Sequence, residues 1–334
     1  MFIPVTYCGY TGTPPIITPP PVVPPPPGPS PELPTALRPI QANTSTFREI
    51  LLGTSSYGPL QPGDHVLLAN DTYAGNNLVF TASGTQQNPI VIRAATKLGA
   101  KFKTPMGIKA NNVYVWGLDC TDGKNAYHRT DSSIDSFTSN WPFQFGVAGT
   151  NVQFWRCKFD WTRIKDSSRG GAPNWVHGIG VGWKSVGFKL MRSLFTFSGT
   201  PNLDDIPSTL VSGGGNPIRG AVLFIRENTS DTQNWANNRD AEVAYNVFKD
   251  FPGDDFFDDS APVIGGKTLS QYAPYDSIVR GQVFSIGGEQ NTSVNGKTSG
   301  INLHHNYIAG NGDEFDFGAI KCNGQGSCYL SYNT

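Results

Sequence analysis

The densest group of residues able to do chemistry lies between positions 250 and 259. It contains the acids Asp250, Asp254, Asp255, Asp258 and Asp259. Glycoside hydrolysis needs one protonated and one ionised carboxyl group about 5 to 10 Å apart, and mutual repulsion between crowded acids raises the pKa of one of them. Carboxylate oxygens also bind Ca²⁺, although the spacing here is not that of an EF-hand loop. The segment therefore predicts hydrolytic acids at Asp254, Asp255, Asp258 and Asp259, a calcium site, or a solvated turn.

Tryptophan is the second residue type whose placement suggests a site, with seven in 334 residues. Sugars present apolar faces ringed by hydroxyl groups, so an exposed aromatic ring beside polar side chains is suited to bind them. Trp175 near His177, and Trp235 near Arg239, are the best clusters of this kind. The predicted carbohydrate-binding residues are Trp141, Trp161, Trp175, Trp235 and Arg239. The alternative is that these rings pack long loops as small cores.

The elements that position these residues follow a template that recurs along the chain. In its clearest copy Ile301 and Leu303 alternate with polar residues, and Asn306 and the apolar Ile308 follow. The place of Asn306 is taken in earlier copies by Leu118, Cys157, Ser193 and Asn246. Alternation produces a half-buried strand, and the step before the Asn is where such a strand bends. Asn suits this corner because it tolerates left-handed backbone angles and its amide bonds neighbouring backbone groups.

A strand-corner-strand unit repeated with polar insertions is typical of a right-handed parallel β-helix. In that fold each coil buries its apolar face by stacking on the next. The alternative is an antiparallel sandwich of alternating strands. In the β-helix, Cys120 and Cys157 are core residues, whereas Trp116 and Trp155 point outward. His304 and His305 are predicted to alternate between the two faces of a strand, so that they cannot both face one metal ion.

The composition describes a loop-rich β protein and excludes several functions. The chain has 38 Gly, 26 Pro, 12% aromatic and only 15% charged residues, and its length is enough for one long domain. A net charge of −1 argues against nucleic-acid binding, which needs a basic stripe. No apolar run approaches the ~18 residues of a membrane span. The five cysteines fit neither a disulfide framework nor a zinc site.

The N-terminal part of the chain differs from the rest in composition. Residues 1–13 form an apolar and aromatic tag without the basic region and apolar core of a secretory signal. Residues 14–40 hold 13 of the 26 prolines, and such a run adopts extended polyproline II. We interpret this segment as a spacer, or as an arm that docks the tag on another protein.

Residues 41–334 are assigned to the β-helix domain, which is expected to begin with a short capping helix. Thr46–Glu49 has the capping-box pattern, and the apolar residues that follow share one face as far as Gly53. A helix at this place can cover the open first coil, whose edge would otherwise pair with other chains.

Residues 60–73 (LQPGDHVLLANDTY) and 84–96 (GTQQNPIVIRAAT) resemble the opening coils of the pectate-lyase-like superfamily. The chondroitinase-B and alginate-lyase branch, and the β-helix proteins of phage tails, are the most similar members. The likeness is strong over residues 47–96 and continues at the level of the template to the end of the chain. The resemblance implies the β-helix fold and a carbohydrate ligand.

Catalytic residues do not carry over from that resemblance. In the lyase branch a Lys and an Arg abstract the proton, helped by a calcium ion that an Asn and carboxylates hold. The Arg lies in a Leu-Arg-His-Gly-like strand, which this sequence lacks. Lys184 and Arg226 are the nearest matches, but their neighbours differ.

Three functions are consistent with these features. The first is a phage tailspike-like or tail-fibre-like virion protein that binds a host surface polysaccharide, with or without degrading it. The resemblance implies a homotrimer in that case, and the N-terminal arm would contact other tail proteins. The second is a secreted polysaccharide lyase of the chondroitinase-B or alginate-lyase type, and the third is a purely structural virion component. The corresponding locations are the virion tail or the extracellular space.

The last copy of the template starts at Cys328 and stops at Thr334, before its second strand is complete. A β-helix that stops within a coil exposes its apolar interior and an unpaired strand edge. We therefore expect the natural protein to continue past this residue.

Overall fold

The computed structural model describes residues 33–121, 143–160, 176–182, 185–196, 219–224, 240–251, 281–286, 301–310, 320–322 and 328–331. Residues 1–32, which include the tag and most of the predicted arm, lie outside these ranges. The described residues form one helix and 22 strands. In chain order these are β1 (Arg38–Ala42), α1 (Phe47–Leu52), β2 (Asp64–Leu68), β3 (Thr72–Tyr73), β4 (Leu78–Phe80), β5 (Ile90–Ala94), β6 (Lys101–Phe102), β7 (Met106–Ile108), β8 (Val113–Trp116), β9 (Phe143–Val147), β10 (Val152–Trp155), β11 (Lys158–Asp160), β12 (Val176–Val181), β13 (Lys189–Met191), β14 (Leu194–Thr196), β15 (Arg219–Phe224), β16 (Glu242–Ala244), β17 (Val247–Phe251), β18 (Gly281–Ile286), β19 (Ile301–His304), β20 (Tyr307–Gly310), β21 (Ile320–Cys322) and β22 (Cys328–Ser331).

The strands stack into three long sheets and one short one, and every strand pair among the described residues is parallel. The nine-stranded sheet has the order β1-β2-β5-β8-β10-β13-β16-β19-β22. The seven-stranded sheet has the order β21-β18-β15-β12-β9-β7-β4, the four-stranded sheet β11-β14-β17-β20, and the two-stranded sheet β3-β6. One coil consists of β9, β10 and β11, and the next of β12, β13 and β14. The predicted parallel β-helix is therefore confirmed, and the antiparallel sandwich is wrong.

The interior is filled by rows of apolar side chains in which each residue contacts its counterpart in the next coil. On the nine-stranded sheet one inward row consists of Val115, Phe154, Leu190, Val243 and Leu303, all fully buried. On the four-stranded sheet Phe159, Phe195 and Phe248 stack with ring centroids 4.5 and 4.8 Å apart. These distances match the separation of about 4.8 Å between neighbouring strands. Cys120 and Cys157 are buried free thiols, as predicted for core residues.

The helix α1 lies where the sequence predicts it, but it is capped differently. Its buried residues Phe47, Ile50 and Leu51 join the core of the coils, and Gly53 ends it in the left-handed conformation with φ 73°. Thr46, at the N-cap, makes no side-chain capping bond, so the predicted capping box is wrong. Instead the carboxamide oxygen of Asn43 accepts hydrogen bonds from the backbone N–H groups of Ser45 and Thr46. An Asx turn before the helix therefore replaces the box.

Each turn from the nine-stranded sheet towards the four-stranded sheet passes through one left-handed residue. We call this set the corner ridge: Gly117, Arg156, Arg192, Tyr245 and His305, with φ between 52° and 65°. The ridge residue comes immediately before the residue that the template places at the corner. The prediction that Asn246 and Asn306 take the left-handed angles is therefore wrong, since Tyr245 and His305 take them. Non-glycine residues rarely adopt this conformation, so the stacked coils must impose it.

The residues after the corner ridge form a buried polar ladder. The carboxamide oxygen of Asn246 accepts a bond of 2.8 Å from the N–H of Ser193, and its NH₂ group donates to Leu190 O at 2.9 Å. The carboxamide oxygen of Asn306 accepts from the NH₂ group of Asn246 at 3.0 Å, and its own NH₂ group donates to Val243 O at 2.8 Å. The prediction that the Asn amides bond neighbouring backbone groups is confirmed.

Candidate functional site

The residues that the sequence singles out for catalysis and sugar binding lie outside the described ranges. They are Asp254, Asp255, Asp258, Asp259, Trp141, Trp161, Trp175, Trp235 and Arg239, together with Lys184 and Arg226. Asp250 lies on β17 and His177 on β12. The roles of all these residues therefore stay predictions, and so does the calcium site.

The described residues place chemistry elsewhere, on the outer face of the nine-stranded sheet. Strand register aligns its side chains into two rows that cross the coils. The first outer row consists of Tyr114, Gln153, Lys189, Glu242 and Asn302. The second outer row consists of Trp116, Trp155, Met191, Ala244 and His304. The corner ridge continues from the second outer row, one residue further along each coil.

An aromatic stack occupies one end of this face. Trp116 and Trp155 have ring centroids 5.6 Å apart at 21°, and Trp155 packs in turn on Met191. Both tryptophans point away from the main core, as predicted. The guanidinium carbon of Arg156 lies 5.7 Å from the centroid of the Trp116 ring, within cation–π range.

A polar relay fixes the orientation of Trp155. Its indole N–H donates to the carboxamide oxygen of Gln153 at 2.8 Å, and the NH₂ group of Gln153 donates to Asn151 at 2.6 Å. Asn151 donates to Asn112 at 2.9 Å across one coil. Because the Trp155 indole and the two amides that follow it each donate to an acceptor, the buried indole is held in a single position.

A charged cluster occupies the other end of the face. The Lys189 ammonium donates to the Glu242 carboxylate at 2.7 Å, and Nε2 of His304 lies 3.2 Å from the other oxygen of Glu242. Partial burial favours the neutral form of Glu242, but the hydrogen bond and charge of Lys189, followed by the contact with His304, outweigh it and lower the pKa of Glu242. Glu242 is therefore an ionised acceptor at neutral pH.

The ionised Glu242 determines which nitrogen of His304 carries a proton. The carboxylate accepts the hydrogen bond, so Nε2 of His304 is the protonated nitrogen. Nδ1 of His304 lies 2.9 Å from Nδ1 of His305, and one of these two nitrogens must donate to the other. When His304 is neutral, its bare Nδ1 accepts from His305; when His304 is charged, the direction reverses. A single hydrogen therefore lies between the Nδ1 atoms of the two imidazoles.

The pairing of His304 and His305 corrects the sequence prediction. The alternation of a strand would place them on opposite faces, but β19 ends at His304 and His305 has a φ of 53°. This left-handed angle turns the second ring back beside the first, with ring centroids 5.1 Å apart. His305 also stacks on Tyr245 at 5.0 Å, and Arg192 lies 5.6 Å from the Tyr245 ring centroid.

No three His, Cys, Asp or Glu side chains in the described part of the chain lie together as a metal site requires. No helix within the described ranges is long and apolar enough to cross a bilayer.

The fold is similar to that of several solved enzymes. A mannuronic acid specific polysaccharide family 6 lyase from human gut microbiota matches with a TM-score of 0.55 and 14% identity, over 88% of this chain and 53% of that enzyme. A family 6 alginate lyase matches with a TM-score of 0.49 and 13% identity, over 81% of this chain and 28% of the enzyme. A pectate lyase from Bacillus sp. N165 matches with a TM-score of 0.41 and 11% identity, over 90% and 83%.

This chain shares the parallel β-helix fold of polysaccharide lyases. The predicted fold class, a right-handed parallel β-helix, is thus confirmed. At 14% identity the likeness concerns the fold alone, and the chain spans about half the length of the gut lyase. The sequence matches no protein-family profile and no curated protein sequence at a significant level.

Lys189, Glu242, Arg156 and Arg192 are residues that the sequence reasoning missed. Lys189 and Glu242 are 53 residues apart, and Glu242 and His304 are 62 apart, so no local spacing brings them together. The signal that finds them is the template itself. When its copies are aligned at the corner, both Arg residues fall immediately before it, and Lys189 and Glu242 fall at one shared strand position.

Proposed function

We propose that this protein binds an acidic polysaccharide on the outer face of the nine-stranded sheet and cleaves it by β-elimination. The observation that carries the proposal is the continuous chain of contacts from Lys189 through Glu242 to His304 and His305. It supplies a proton acceptor and a cation on one surface. The fold supports the proposal because the lyase from human gut microbiota, which has a similar fold, is specific for mannuronic acid.

β-Elimination requires a base and a positive charge near the uronate carboxylate. The base removes the proton at C5, the electron pair forms the C4–C5 double bond, and the C4–O4 bond breaks with protonation of the leaving oxygen by water. The His304–His305 pair is the proposed base, since an imidazole accepts protons near neutral pH. Arg192, beside this pair, is the proposed cation that neutralises the carboxylate and so makes the C5 proton easier to remove.

The test is the appearance of unsaturated ends, followed by their ultraviolet absorbance, on alginate, polygalacturonate and chondroitin. We expect the wild-type chain to cleave at least one polymer, and His304→Gln and His305→Gln each to lower the rate by 10²-fold or more, the range of a lost general base. His65→Leu is the matched control, because it removes a histidine from the same face far from the cluster, on β2. Absence of products from all three polymers would refute the proposed function. Cleavage that survives both glutamine variants would place the base elsewhere.

A second function, attachment of a virion to a host surface polysaccharide, is favoured by the proline-rich residues 14–40. An extended polyproline segment is suited to hold a binding domain away from an anchoring point. Light scattering on the purified chain tests this function, for which we expect a trimer. A monomer that cleaves polysaccharide would favour the lyase and count against the tail protein.

A further inference from the structure

The Nδ1 atoms of His304 and His305 face each other at the end of β19. They lie 2.9 Å apart, and the planes of the two rings are nearly perpendicular, at 85°. The strand ends at His304, and the left-handed φ of 53° at His305 brings the second ring back beside the first. Both residues are partly exposed, so a hydrated ion can reach them from solvent.

Each of the two rings is also held by a neighbour outside the pair. His305 stacks on Tyr245 with ring centroids 5.0 Å apart, and Tyr245 meets the His304 ring at 84° with centroids 5.8 Å apart. Nε2 of His304 lies 3.2 Å from the ionised carboxylate of Glu242. The two Nδ1 atoms are therefore positioned before a ligand arrives, which lowers the entropy cost of binding one.

The separation of the two nitrogens matches a chelate of a divalent transition metal ion. Imidazole nitrogens bind such ions at about 2.0 to 2.1 Å, so two nitrogens at neighbouring positions of an octahedral or square-planar site lie about 2.9 Å apart. In a tetrahedral site they lie about 3.3 to 3.4 Å apart. The observed 2.9 Å therefore favours Cu²⁺ or Ni²⁺ over Zn²⁺. A tilt of each ring about χ2, a torsion with broad minima in histidine, directs both lone pairs at the ion.

The contact between His304 and Glu242 is the one that a metal-binding histidine usually makes. Such a histidine binds the ion through one nitrogen and donates its other N–H group to a carboxylate, which fixes the tautomer and makes the ligand more basic. Here Nε2 of His304 carries the hydrogen that Glu242 accepts, so Nδ1 is the nitrogen left to bind a metal ion.

We propose that His304 and His305 chelate Cu²⁺ or Ni²⁺ through their two Nδ1 atoms. The ion takes the place of the hydrogen between these atoms, and His305 then carries its hydrogen on Nε2. The described ranges supply no third His, Cys, Asp or Glu side chain to the site, so water fills the other positions around the ion. This inference goes beyond the proposed function, because it requires metal coordination and no cleavage.

Equilibrium dialysis of the full chain against Ni²⁺ tests the site. We expect His304→Gln and His305→Asn each to raise the Kd for Ni²⁺ at least about tenfold, since either variant leaves a single nitrogen in place of a chelate. Asn is the replacement at position 305 because it tolerates the left-handed angle. His65→Leu is the matched control, which removes a buried histidine from the same sheet and should leave the Kd unchanged.

Glu242→Gln separates the support of the site from its ligands. This variant keeps both imidazoles but removes the charge behind His304, and it should raise the Kd for Ni²⁺ about tenfold. Ca²⁺ should not displace Ni²⁺ at equal concentration, because calcium prefers oxygen ligands. Nickel binding at wild-type affinity in both histidine variants, or its displacement by Ca²⁺, would refute the site.

A second measurement needs no variant. The electron paramagnetic resonance spectrum of the wild-type chain with one equivalent of Cu²⁺ should show coupling to two imidazole nitrogens. Coupling to one nitrogen, or to none, would overturn the chelate. Neither readout involves a polysaccharide, so the metal site and the proposed cleavage can fail independently.

Discussion

His65 is a buried polar residue on the outer face of β2. It is 1% exposed, and neither of its ring nitrogens has a hydrogen-bond partner in the described part of the chain. Burial, followed by the charge of Arg93, lowers the pKa of His65 from 6.5 to about 4, against the opposing effect of Asp64. The folded protein therefore keeps this imidazole neutral at pH values where the unfolded chain protonates it.

This difference makes stability depend on pH with a known sign. Between pH 6.5 and 4 the unfolded state binds more protons at His65 than the folded state, so the free energy of unfolding falls as the pH falls. This effect of His65 is absent above pH 6.5, and at pH 4 it lowers the free energy of unfolding by on the order of 3 kcal/mol. His65→Leu should abolish it, because a Leu side chain remains uncharged beside the buried Leu67 and Val91.

Urea unfolding of the wild type and of His65→Leu at pH 7.5, 5.5 and 4 measures the effect. Carboxylates titrate in both proteins, so the difference between the two unfolding free energies isolates His65. We expect that difference to shift in favour of the variant as the pH falls. Parallel pH profiles would show that His65 is protonated as easily in the folded state as in the unfolded one.

At the scale of the element, the polar ladder after the corner ridge connects consecutive coils. The side chain of Asn246 makes two hydrogen bonds with the preceding coil and one with the following coil, and Asn246 is 1% exposed. Asn246→Ala leaves the N–H of Ser193 and the carbonyl of Leu190 buried without this partner. The free energy of unfolding should fall by about 2 to 3 kcal/mol.

Denaturant unfolding of Asn246→Ala beside Asn302→Ala checks this prediction. Asn302 is a partly exposed residue of the first outer row on β19, so its replacement should change stability by less than about 0.5 kcal/mol. Similar stability losses in the two variants would contradict a special role for the ladder.

The same element shows how far the sequence alone could lead. Alternating apolar residues predicted the inward rows, because a side chain that faces the interior must be apolar in every coil. The corner was placed correctly to within one residue. The left-handed angle falls one position earlier, since the Asn side chain must point inward to reach the backbone of the neighbouring coil. Propensity favours Asn in the left-handed region, and the packing of the coils overrides it.

The candidate site was not predictable in the same way. Its contacts join residues on different coils, and the intervals between those coils vary with the insertions. Sequence spacing therefore says which face a residue occupies but not which residues meet. The stacking of His305 beside His304 required the left-handed corner, which reverses the expected alternation at a single residue.

At the scale of the whole molecule, β1 is the first strand of the β-helix among the described residues. β1 pairs with β2 in parallel register over all five of its residues, Arg38–Ala42. Ile40 is fully buried, Arg38 forms an ion pair with Asp64, and the Tyr73 hydroxyl donates to Ala42 O. The predicted arm, which ends at residue 40, thus overlaps a strand of the folded body.

Two deletions separate the arm from this strand. Removal of residues 1–32 should leave the melting temperature nearly unchanged, because a proline-rich run without apolar periodicity has little to bury. Removal of residues 1–42 takes β1 away, uncovers the edge of β2 and leaves the Asp64 carboxylate without its arginine. The melting temperature should then fall by more than about 5 °C.

Circular dichroism melting of the full chain and both truncated chains makes the comparison. A marked loss in the shorter deletion would mean that the proline-rich segment packs on the β-helix, and a loss in neither would mean that β1 contributes nothing to the stability of the first coil.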